Sequence, residues 1–349
     1  MLLSIVIPVF NEAETLGVMI TRLRQALVGL NWEVIFVDDG STDDSLEVIR
    51  VAAFSDQRIK AIRFSRNFGH QAAITAGLDF ANGDAVAVMD ADLQDPPELL
   101  PRMLELLAEG YDVISPQRVV RQGDTLFKRW TAALFYRAMT RLADRRLVPD
   151  VGDFRLFSRR AVLAIRSFRE HHRFMRGLVA WLGLKEALVP FERHARAGGE
   201  TKYGLLKMLR FAWTAVSSFS ALPLRLSVAA GVLLSCVGFL YLLRVLYLAL
   251  FTNALVPGWA SIVVLQCIFS GMILLAVGVI GDYIARSYEE SKGRPLYVVT
   301  GSVNEPQPDH EIAGAAILTG PGYTGLPLLD NYLEIQKAQA VLPAKLTRR

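Results

Sequence analysis

The sequence predicts an α/β domain with a mostly parallel sheet, followed by two membrane-spanning helices. Short apolar runs alternate with helical patterns over the first 115 residues, as in right-handed βαβ units. Two long uncharged apolar segments follow later in the chain. Hydrophobic residues make up 52% of the 349-residue chain, a share too high for an ordinary soluble enzyme, so part of the chain is expected to lie in lipid.

The first third of the chain supplies five predicted strands and the helices between them. Each strand is a short apolar run, as buried parallel strands require. The predicted strands are residues 3–9, 32–37, 59–64, 86–89 and 113–115. The predicted helices run from residue 11 to 27, from residue 43 onward, and over residues 70–80 and 97–108. The carboxyl ends of the strands should meet at one edge of the sheet, where ligands bind in such folds.

Two later segments are long enough to cross a bilayer as helices. Residues 226–243 carry no charge over 18 positions, and residues 260–281 carry none over 22. A hydrocarbon core of roughly 30 Å needs about 20 apolar residues. We therefore place the spans at residues 226–250 and 259–284. Two buried core helices are the alternative.

Charge sets the expected orientation of the chain. Basic residues precede the first span and follow the second, while residues 245–259 carry no charge, which predicts that both ends are cytoplasmic. Residues 1–203 are then a cytoplasmic domain, residues 204–225 an amphipathic segment in the headgroup plane, and residues 285–349 a partly disordered cytoplasmic tail. An ordinary globular helix is the alternative for the amphipathic segment.

The basic balance of the chain indicates lipid rather than nucleic acid as a partner. The isoelectric point is about 9.1, but the net charge is only +4 and the cations cluster beside the apolar segments, where anionic headgroups attract them. The two cysteines, Cys236 and Cys267, lie inside those segments, so neither a disulfide framework nor a thiol metal site is expected. The first residues lack the basic region and cleavage site of a signal peptide.

The acidic stretch after the fourth predicted strand is the strongest candidate site. Asp90, Asp92 and Asp95 come directly after the apolar run, and two prolines then suit the first turn of a helix. Aspartates at i and i+2 past a strand end can both turn toward one hard cation, with Gln94 as a neutral ligand and substrate phosphates completing the shell. A polar loop with a helix N-cap is the alternative.

A second acidic pair, Asp38 and Asp39, follows the second predicted strand. These carboxylates could hydrogen-bond ribose hydroxyls or a base edge. The alternative is helix capping by Ser41 or Thr42, with the next two aspartates in the first turn. No G-x-G-x-x-G follows the first strand and no G-x-x-x-x-G-K-[ST] occurs, so neither a dinucleotide dehydrogenase nor a P-loop enzyme is supported.

Taken together, six ordered motifs resemble one enzyme family. They are PVFNE (8–12), VDDGSTDDS (37–45), RNFGHQAA (66–73), MDADLQDPPE (89–98), GDFRLFSRR (152–160) and GETKY (199–203). The set resembles the inverting family 2 glycosyltransferases of GT-A fold. Within them it is similar to the polyprenyl-phosphate branch, which includes dolichyl-phosphate mannose synthase and the bacterial bactoprenol glucosyltransferases with two membrane helices. The resemblance covers residues 1–300 and identifies residues 1–203 as a GT-A catalytic domain.

The resemblance also assigns roles to individual positions. It implies that contacts to the donor's base and ribose come from Pro8, Phe10, Glu12, Val37 and Asp39. It implies that the diphosphate and its Mg²⁺ or Mn²⁺ are bound by Asp90, Ala91 and Asp92, with Gln94 as a further metal ligand. It implies phosphate binding by Arg118 and, beside the acceptor, by Arg196 and Lys202.

The expected reaction moves a sugar from a nucleotide diphosphate to a lipid monophosphate. A divalent cation neutralises the leaving diphosphate. The acceptor's second pKa is about 6, so it needs little general base and mainly needs cations that hold it in line. Arginine suits this task because its planar fork binds phosphate at two points. The expected cations are Arg118, Arg155, Arg196 and Lys202.

Asp153 and Arg155 are expected to act together as catalytic residues. Their two-residue spacing on a short extended stretch would aim both side chains to one side. Arg155 would hold a phosphate, while Asp153 would orient that arginine or accept the acceptor's residual proton. A structural cap is the alternative for Asp153.

The choice of sugar and lipid rests on the resemblance alone. The eukaryotic mannose synthases have a different residue at the position of Asp153, and RPLYVV (294–299) is typical of the bacterial glucosyltransferases. The resemblance therefore favours UDP-glucose over GDP-mannose as the donor, and undecaprenyl phosphate as the acceptor. It implies a multi-pass protein of the bacterial inner membrane that acts at the cytoplasmic leaflet, with membrane lipids as partners; a homo-oligomer is compatible with the sequence.

Two other functional classes stay open at this point. One is a membrane scaffold or lipid-flipping partner that has kept the fold without catalysis. The other is a processive polysaccharide synthase, although the QxxRW-type motif typical of that class is absent.

Overall fold

The structure is a computed structural model that describes residues 1–118, 148, 151–191, 222–251, 258–304, 306 and 315–317. The chain divides into two compact units, one built on a β-sheet and one on two long helices. The strands are β1 (Leu2–Val9), β2 (Asn31–Asp38), β3 (Ile59–Phe64), β4 (Ala85–Val88), β5 (Val113–Arg118), β6 (Arg155–Ser158), β7 (Glu186–Phe191), β8 (Tyr297–Val303) and β9 (Ala315–Ile317). The helices are α1 (Ala13–Ala26), α2 (Ser45–Ser55), α3 (His70–Phe80), α4 (Leu100–Ala108), α5 (Arg159–Arg166), α6 (Met175–Leu182), α7 (Leu222–Phe251) and α8 (Trp259–Ser291), and a 3₁₀ turn, Pro97–Leu99, precedes α4.

Within the described residues, the sheet has nine strands in the order β7-β5-β6-β4-β1-β2-β3-β8-β9. The four predicted strands β1 to β4 form a parallel block, in which β1 lies between β2 and β4, and β3 is on the far side of β2. β6 runs antiparallel to β4 and β5, and β8 runs antiparallel to β3. The prediction of an α/β domain with a mostly parallel sheet is confirmed.

Both faces of the parallel block are buried, which explains why its strands are continuously apolar. Successive residues of β1 point to opposite faces: Ile5 and Ile7 belong to one core cluster and Val6 to the other. Helix α3 packs very closely on the second face, because a Cβ added at Gly77 would lie 2.0 Å from a methyl carbon of Val6. A glycine at this position therefore sets the distance between α3 and β1.

Helix α2 begins later than predicted, and its predicted cap is wrong. The helix starts at Ser45, and the N-cap residue Asp44 makes no side-chain capping bond. Asp43 accepts hydrogen bonds from the Ser45 N–H (3.0 Å) and from the Ala13 N–H (3.2 Å) at the start of α1. The polar residues before α2 thus connect two loops instead of capping one helix.

Strand β8 is a feature that the sequence analysis did not expect. It follows α8 and pairs with β3 in a region that the sequence analysis assigned to a tail. Its first residue, Tyr297, is fully buried and stacks on Phe64, with ring centroids 5.1 Å apart. The sheet of the first unit is therefore completed by residues that follow both long helices.

The second unit contains α7, with 30 residues, and α8, with 33 residues. Among the described residues, one stretch, Ile268–Ser291, is long and apolar enough to cross a membrane, and Leu226–Tyr241 is a shorter apolar helix. One candidate span is thus found where two were expected. Of the predicted amphipathic segment, residues 222–225 belong to α7 and the remainder lies outside the described residues.

Candidate active site

Three parallel strands end side by side at one edge of the sheet. In the register of the sheet, Val9 at the end of β1 is opposite Asp38 at the end of β2. The pairing continues past the strands, because the Asp39 N–H donates to Val9 O (2.9 Å) and the Met89 N–H donates to Val6 O (3.1 Å). Both acidic pairs therefore leave the sheet next to β1, as the sequence predicted.

The loops after β1 and β2 are joined by hydrogen bonds that the sequence analysis did not foresee. The Asn11 N–H donates to Ser41 Oγ (3.1 Å), and the Thr42 N–H donates to Asn11 Oδ1 (2.8 Å). The Glu12 N–H donates to Ser45 Oγ (2.9 Å). Asn11 has a φ of 57°, a left-handed conformation that asparagine tolerates better than most residues. These bonds fix the conformation of the two loops at the edge of the sheet, beside which a ligand would lie.

Asp39 is buried and is engaged with backbone amides. Its side chain accepts hydrogen bonds from the N–H groups of Phe68 (2.6 Å) and Gly69 (2.9 Å), and the residue is only 3% exposed. Burial raises the pKa of Asp39 and outweighs these two hydrogen bonds, which lower it. Asp39 therefore connects the end of β2 to the loop that leads into α3, and the ribose contact implied by the resemblance stays a prediction.

The loop after β4 presents carboxylates to the surface. Asp90 and Asp92 are partly exposed, whereas Asp95 is only 2% exposed. The buried Asp95 accepts a hydrogen bond from the Asp90 N–H (3.1 Å), and Asp92 accepts one from the Gln94 N–H (3.1 Å). Leu93 between them has a φ of 61°. The loop is therefore a tight turn that holds two aspartates at the sheet edge.

The side chains of this loop supply only some of the ligands that a divalent cation needs. Across the described ranges, no group of three or more His, Cys, Asp or Glu side chains could hold a metal ion by itself. Asp90 and Asp92 offer partly exposed carboxylates, whereas Gln94 is only 8% exposed. The loop therefore suits a hard cation that takes two carboxylate ligands from the protein and the others from a bound diphosphate and water.

A second cluster adjoins this loop and contains three residues that the sequence analysis missed. His70, the first residue of α3, places Nε2 3.6 Å from Asp90 Oδ1 and 3.4 Å from Asp153 Oδ2. The other oxygen of Asp153 accepts a hydrogen bond from Arg176 Nε on α6 (3.0 Å). Gln71 Nε2 also donates to Asp153 (3.4 Å), and Gln71 Oε1 accepts from a backbone N–H of α6 (3.0 Å). The motif RNFGHQAA, with a histidine and a glutamine at a helix start, was the sequence signal for His70 and Gln71.

The charges of the cluster fix its ionisation. Burial raises the pKa of Asp153, but the hydrogen bond with His70 and the positive charges of Arg176 and His70 outweigh it, so this pKa lies well below its usual range. Burial lowers the pKa of His70, but the Asp153 hydrogen bond and the charges of Asp90 and Asp153 raise it above its usual value. A carboxylate with a lowered pKa is a weak base. The hydrogen bond from Arg176 therefore holds an Asp153 carboxylate of lowered pKa beside that guanidinium.

Arg155 lies in the sheet and does not pair with Asp153. It is 3% exposed, its Nε donates to Gly152 O (3.4 Å), and its Nη1 lies 3.9 Å from Glu186 Oε1. Burial lowers its pKa. The expected pairing of Asp153 with Arg155 is replaced by the pairing of Asp153 with Arg176, and Arg155 offers almost no surface to a phosphate.

The remaining predicted residues are spread over the edge and the core. Phe10 is 47% exposed and Glu12 is partly exposed beside the β1 loop, whereas Pro8, Val37 and Ala91 are buried. The backbone of Arg118 ends β5. Arg196 and Lys202 lie outside the described residues.

Similarity to known glycosyltransferases extends over most of the chain. The sequence model described as "Glycosyl transferase family 2" matches residues 4–166. A Bacillus subtilis glycosyltransferase named YkcC is 48% identical over 301 residues, which cover 86% of this chain and 93% of the relative. A bactoprenol glucosyl transferase of Shigella phage SfV is 37% identical over 301 residues, with coverage of 86% and 98%.

Several solved structures are also similar. One of them is glucosyl-3-phosphoglycerate synthase from Mycobacterium tuberculosis in complex with Mn²⁺, UDP and phosphoglyceric acid. The TM-score is 0.46 at 19% sequence identity, and the alignment covers 62% of this chain and 77% of that chain.

Proposed function

The chain belongs to glycosyl transferase family 2, as its motifs indicated, and we propose that it transfers glucose from UDP-glucose, with inversion, onto undecaprenyl phosphate. The observation that carries this proposal is the line of contacts from Asp90 through His70 and Asp153 to Arg176. It connects a carboxylate suited to a cation with a guanidinium suited to phosphate. The 37% identity to a relative named bactoprenol glucosyl transferase supports this choice of sugar and lipid.

The donor is proposed to bind at the carboxyl edge of β1, β2 and β4. The hydrogen-bonded loops after β1 and β2 would bind the nucleoside part of the donor, and Phe10 is exposed there. Asp90 and Asp92 would hold Mg²⁺ or Mn²⁺, which would neutralise the charge that develops on the leaving diphosphate. Asp95 supports this site by fixing the Asp90 backbone.

The acceptor phosphate is proposed to approach from the side of Arg176. Asp153 keeps that guanidinium oriented through Nε, and a bidentate arginine holds a phosphate in a defined direction. A phosphate monoester is largely ionised near pH 7, so the protein needs to position it rather than deprotonate it. This matches the lowered pKa of Asp153, which is a poor proton acceptor.

The experiment is transfer of radiolabelled sugar into organic-extractable lipid by the purified full chain. We expect label from UDP-glucose in undecaprenyl phosphate only when Mg²⁺ or Mn²⁺ is present, and none after chelation. Asp92→Asn is the inactive control, and Asp44→Asn is the matched control, because Asp44 makes no side-chain capping bond.

The donor panel separates the proposal from its alternatives. Label from GDP-mannose but not from UDP-glucose would favour a mannosyltransferase like dolichyl-phosphate mannose synthase. A long water-soluble polymer would indicate a processive synthase. No product from any nucleotide sugar in a folded protein would favour a non-catalytic scaffold or flipping partner.

We further propose a multi-pass protein of the plasma membrane with both ends and the sheet domain in the cytoplasm. The support is the apolar character of α7 and α8 and the basic residues outside the apolar segments. A reporter fused after Arg294 should be active in the cytoplasm, and one inserted near Asn253 should be active outside. The reverse pattern would contradict the placement of the catalytic domain.

A further inference from the structure

The segment between α5 and α6 carries a concentration of positive charge. Arg166 at the end of α5 is followed by Arg169 and Arg173, and three residues later α6 carries Arg176. Arg166 is engaged by the protein itself, because its Nε and Nη2 donate to Leu78 O (2.8 Å) and Ala81 O (2.7 Å) at the end of α3. Arg169 and Arg173 are engaged much less completely.

Asp79 is the carboxylate that Arg169 contacts. It is 1% exposed and accepts two hydrogen bonds from Arg169 Nη1 (2.9 and 3.0 Å) and one from the Tyr297 hydroxyl (2.7 Å). The charges of Asp79 and Glu170 also act on Arg173, where they oppose the lowering of its pKa by burial. The Nη2 atom of Arg173 donates to Ile165 O at 3.4 Å.

Four buried nitrogen atoms of these two side chains have no hydrogen-bond acceptor among the described residues. They are Nε and Nη2 of Arg169, and Nε and Nη1 of Arg173. A buried donor without an acceptor costs about 1–3 kcal/mol, and more when the group is charged. Burial lowers the pKa of Arg173 to about 10, and the neighbouring charge of Arg169 acts in the same direction. The protein therefore holds two adjacent guanidinium groups whose hydrogen-bonding capacity is only partly used.

An anion with several acceptor oxygens would satisfy these donors. Phosphate matches the planar fork of arginine and neutralises more than one positive charge. We propose that Arg169 and Arg173 form a binding site for a phosphate group, in addition to the site at the acidic loop.

The position of the segment in the chain suggests two sources for that phosphate. His171, between the two arginines, places Nε2 3.0 Å from the backbone oxygen of Arg294, three positions after the last residue of α8. A headgroup of a membrane phospholipid is one source, because α8 contains the candidate membrane span. A soluble phosphate is the other, and the shared chemistry is the phosphate anion.

The test uses the full chain and measures hydrogen exchange of the 167–174 segment together with the melting temperature. One arm adds inorganic phosphate in detergent, and the other compares nanodiscs of phosphatidylcholine with nanodiscs that also contain phosphatidylglycerol. Binding to the folded state should slow exchange and raise the melting temperature by ~3 °C. Arg173→Gln should abolish this gain, and Arg173→Lys should retain part of it.

Arg173→Gln also separates a binding role from a structural one. The substitution removes a poorly paired buried charge, so the melting temperature without phosphate should stay equal or rise, whereas a structural arginine would lower it. Arg102→Gln is the matched control, because this exposed α4 arginine pairs with its neighbour Glu105 on the same helix.

Each outcome decides the proposal. Protection by inorganic phosphate alone identifies a soluble anion as the source, and protection by phosphatidylglycerol alone identifies a headgroup. Protection by both shows that the phosphate group suffices. No protection in either arm, or an equal gain in the wild type and Arg173→Gln, overturns the proposal, and phosphate binding at the acidic loop would give that equal gain.

Discussion

The loops after β2 and β4 both begin with closely spaced aspartates, and the two pairs are placed differently. Asp38 is 0% and Asp39 3% exposed; Asp38 accepts a hydrogen bond from the Ser41 N–H of its own loop, and Asp39 accepts two from the loop before α3. Asp90 and Asp92 are partly exposed, and a third aspartate, the buried Asp95, binds the backbone of their turn. The loop after β4 therefore presents carboxylates that a ligand could reach, because Asp95 holds the backbone of the turn.

The position of an aspartate at a strand end does not by itself decide its role. The two strand ends differ in how far the carboxylates are buried and in the loops that contact them. At β2 the loop before α3 lies close enough to bind Asp39 through Phe68 and Gly69. At β4 a partner of the Asp90 carboxylate is the side chain of His70, which belongs to the site itself.

The largest expected effect is that of Asp92→Asn on metal-dependent transfer. Removal of a carboxylate ligand from a partly exposed loop should lower turnover by about 10³-fold, which corresponds to ~4 kcal/mol. The melting temperature should stay close to that of the wild type, because Asp92 is not part of the core. Turnover is measured at limiting Mg²⁺, and full activity of the purified variant would refute the assignment.

Arg155→Met should act on stability. It removes the buried member of a 3.9 Å pair and leaves the partly exposed Glu186 without that counterion, at a cost of about 2–3 kcal/mol. Urea unfolding measures the loss, and Arg102→Met is the exposed control. The Michaelis constant for the lipid acceptor should not change in the folded fraction. A raised constant at unchanged stability would instead restore the phosphate-binding role that the sequence analysis gave to Arg155.

Asp39→Asn should also destabilise the fold, by about 2 kcal/mol. The Asp39 carboxylate accepts two backbone hydrogen bonds, whereas the asparagine amide has only one oxygen that can accept them. The free energy of unfolding measures the effect, with Asp44→Asn as the control. Donor affinity in the folded variant should remain within about threefold of the wild type, a difference below about 1 kcal/mol. A selective loss of donor affinity at unchanged stability would show that Asp39 contacts the donor.

Asp153→Asn has the smallest expected effect on stability, about 1.5 kcal/mol at pH 7, and this effect depends on pH. The pKa of Asp153 is lowered in the folded chain. Its stabilisation is therefore fully present above the unfolded pKa of about 3.9, and it is lost as the pH falls below that value because the unfolded chain takes up the proton first. The stability difference between wild type and variant should begin to shrink below about pH 5 and continue to shrink as the pH falls toward the folded pKa.

Turnover of Asp153→Asn distinguishes its two predicted roles. An orienting role predicts a loss of turnover that is flat with pH, since Arg176 loses its partner at every pH. A proton-accepting role predicts recovery as the pH rises and the acceptor becomes fully dianionic. Wild-type turnover at about pH 6, near the acceptor's second pKa, would exclude both roles and leave Asp153 as a structural residue.

The sequence predicted the parallel block well because local patterns determine it. β3 and α3 have the predicted bounds, and the ends of β1, β2 and β4 lie within one residue of the predicted ones. Each of these elements is a continuous apolar run or a helical pattern bounded by polar residues. The ends of the strands, and with them the acidic loops, followed from the same patterns.

The parts that were missed depend on contacts between distant segments. β8 pairs with β3 across more than two hundred positions, and no local pattern reveals such pairing. The same holds for Asp153, whose partners His70 and Arg176 come from α3 and α6. Arg155 was expected to hold a phosphate because arginine is usually exposed, whereas in the fold it is buried and its Nη1 lies 3.9 Å from Glu186 of β7.

The most direct test of the contrast between the two acidic loops is Mn²⁺ binding in the presence of UDP, measured in electron paramagnetic resonance as the loss of the free Mn²⁺ signal beyond that caused by UDP alone. The wild type and folded Asp39→Asn should both bind the ion, and Asp92→Asn should not. Equal binding by Asp92→Asn, or complete loss of binding by folded Asp39→Asn, would contradict the assignment of the cation to the loop after β4.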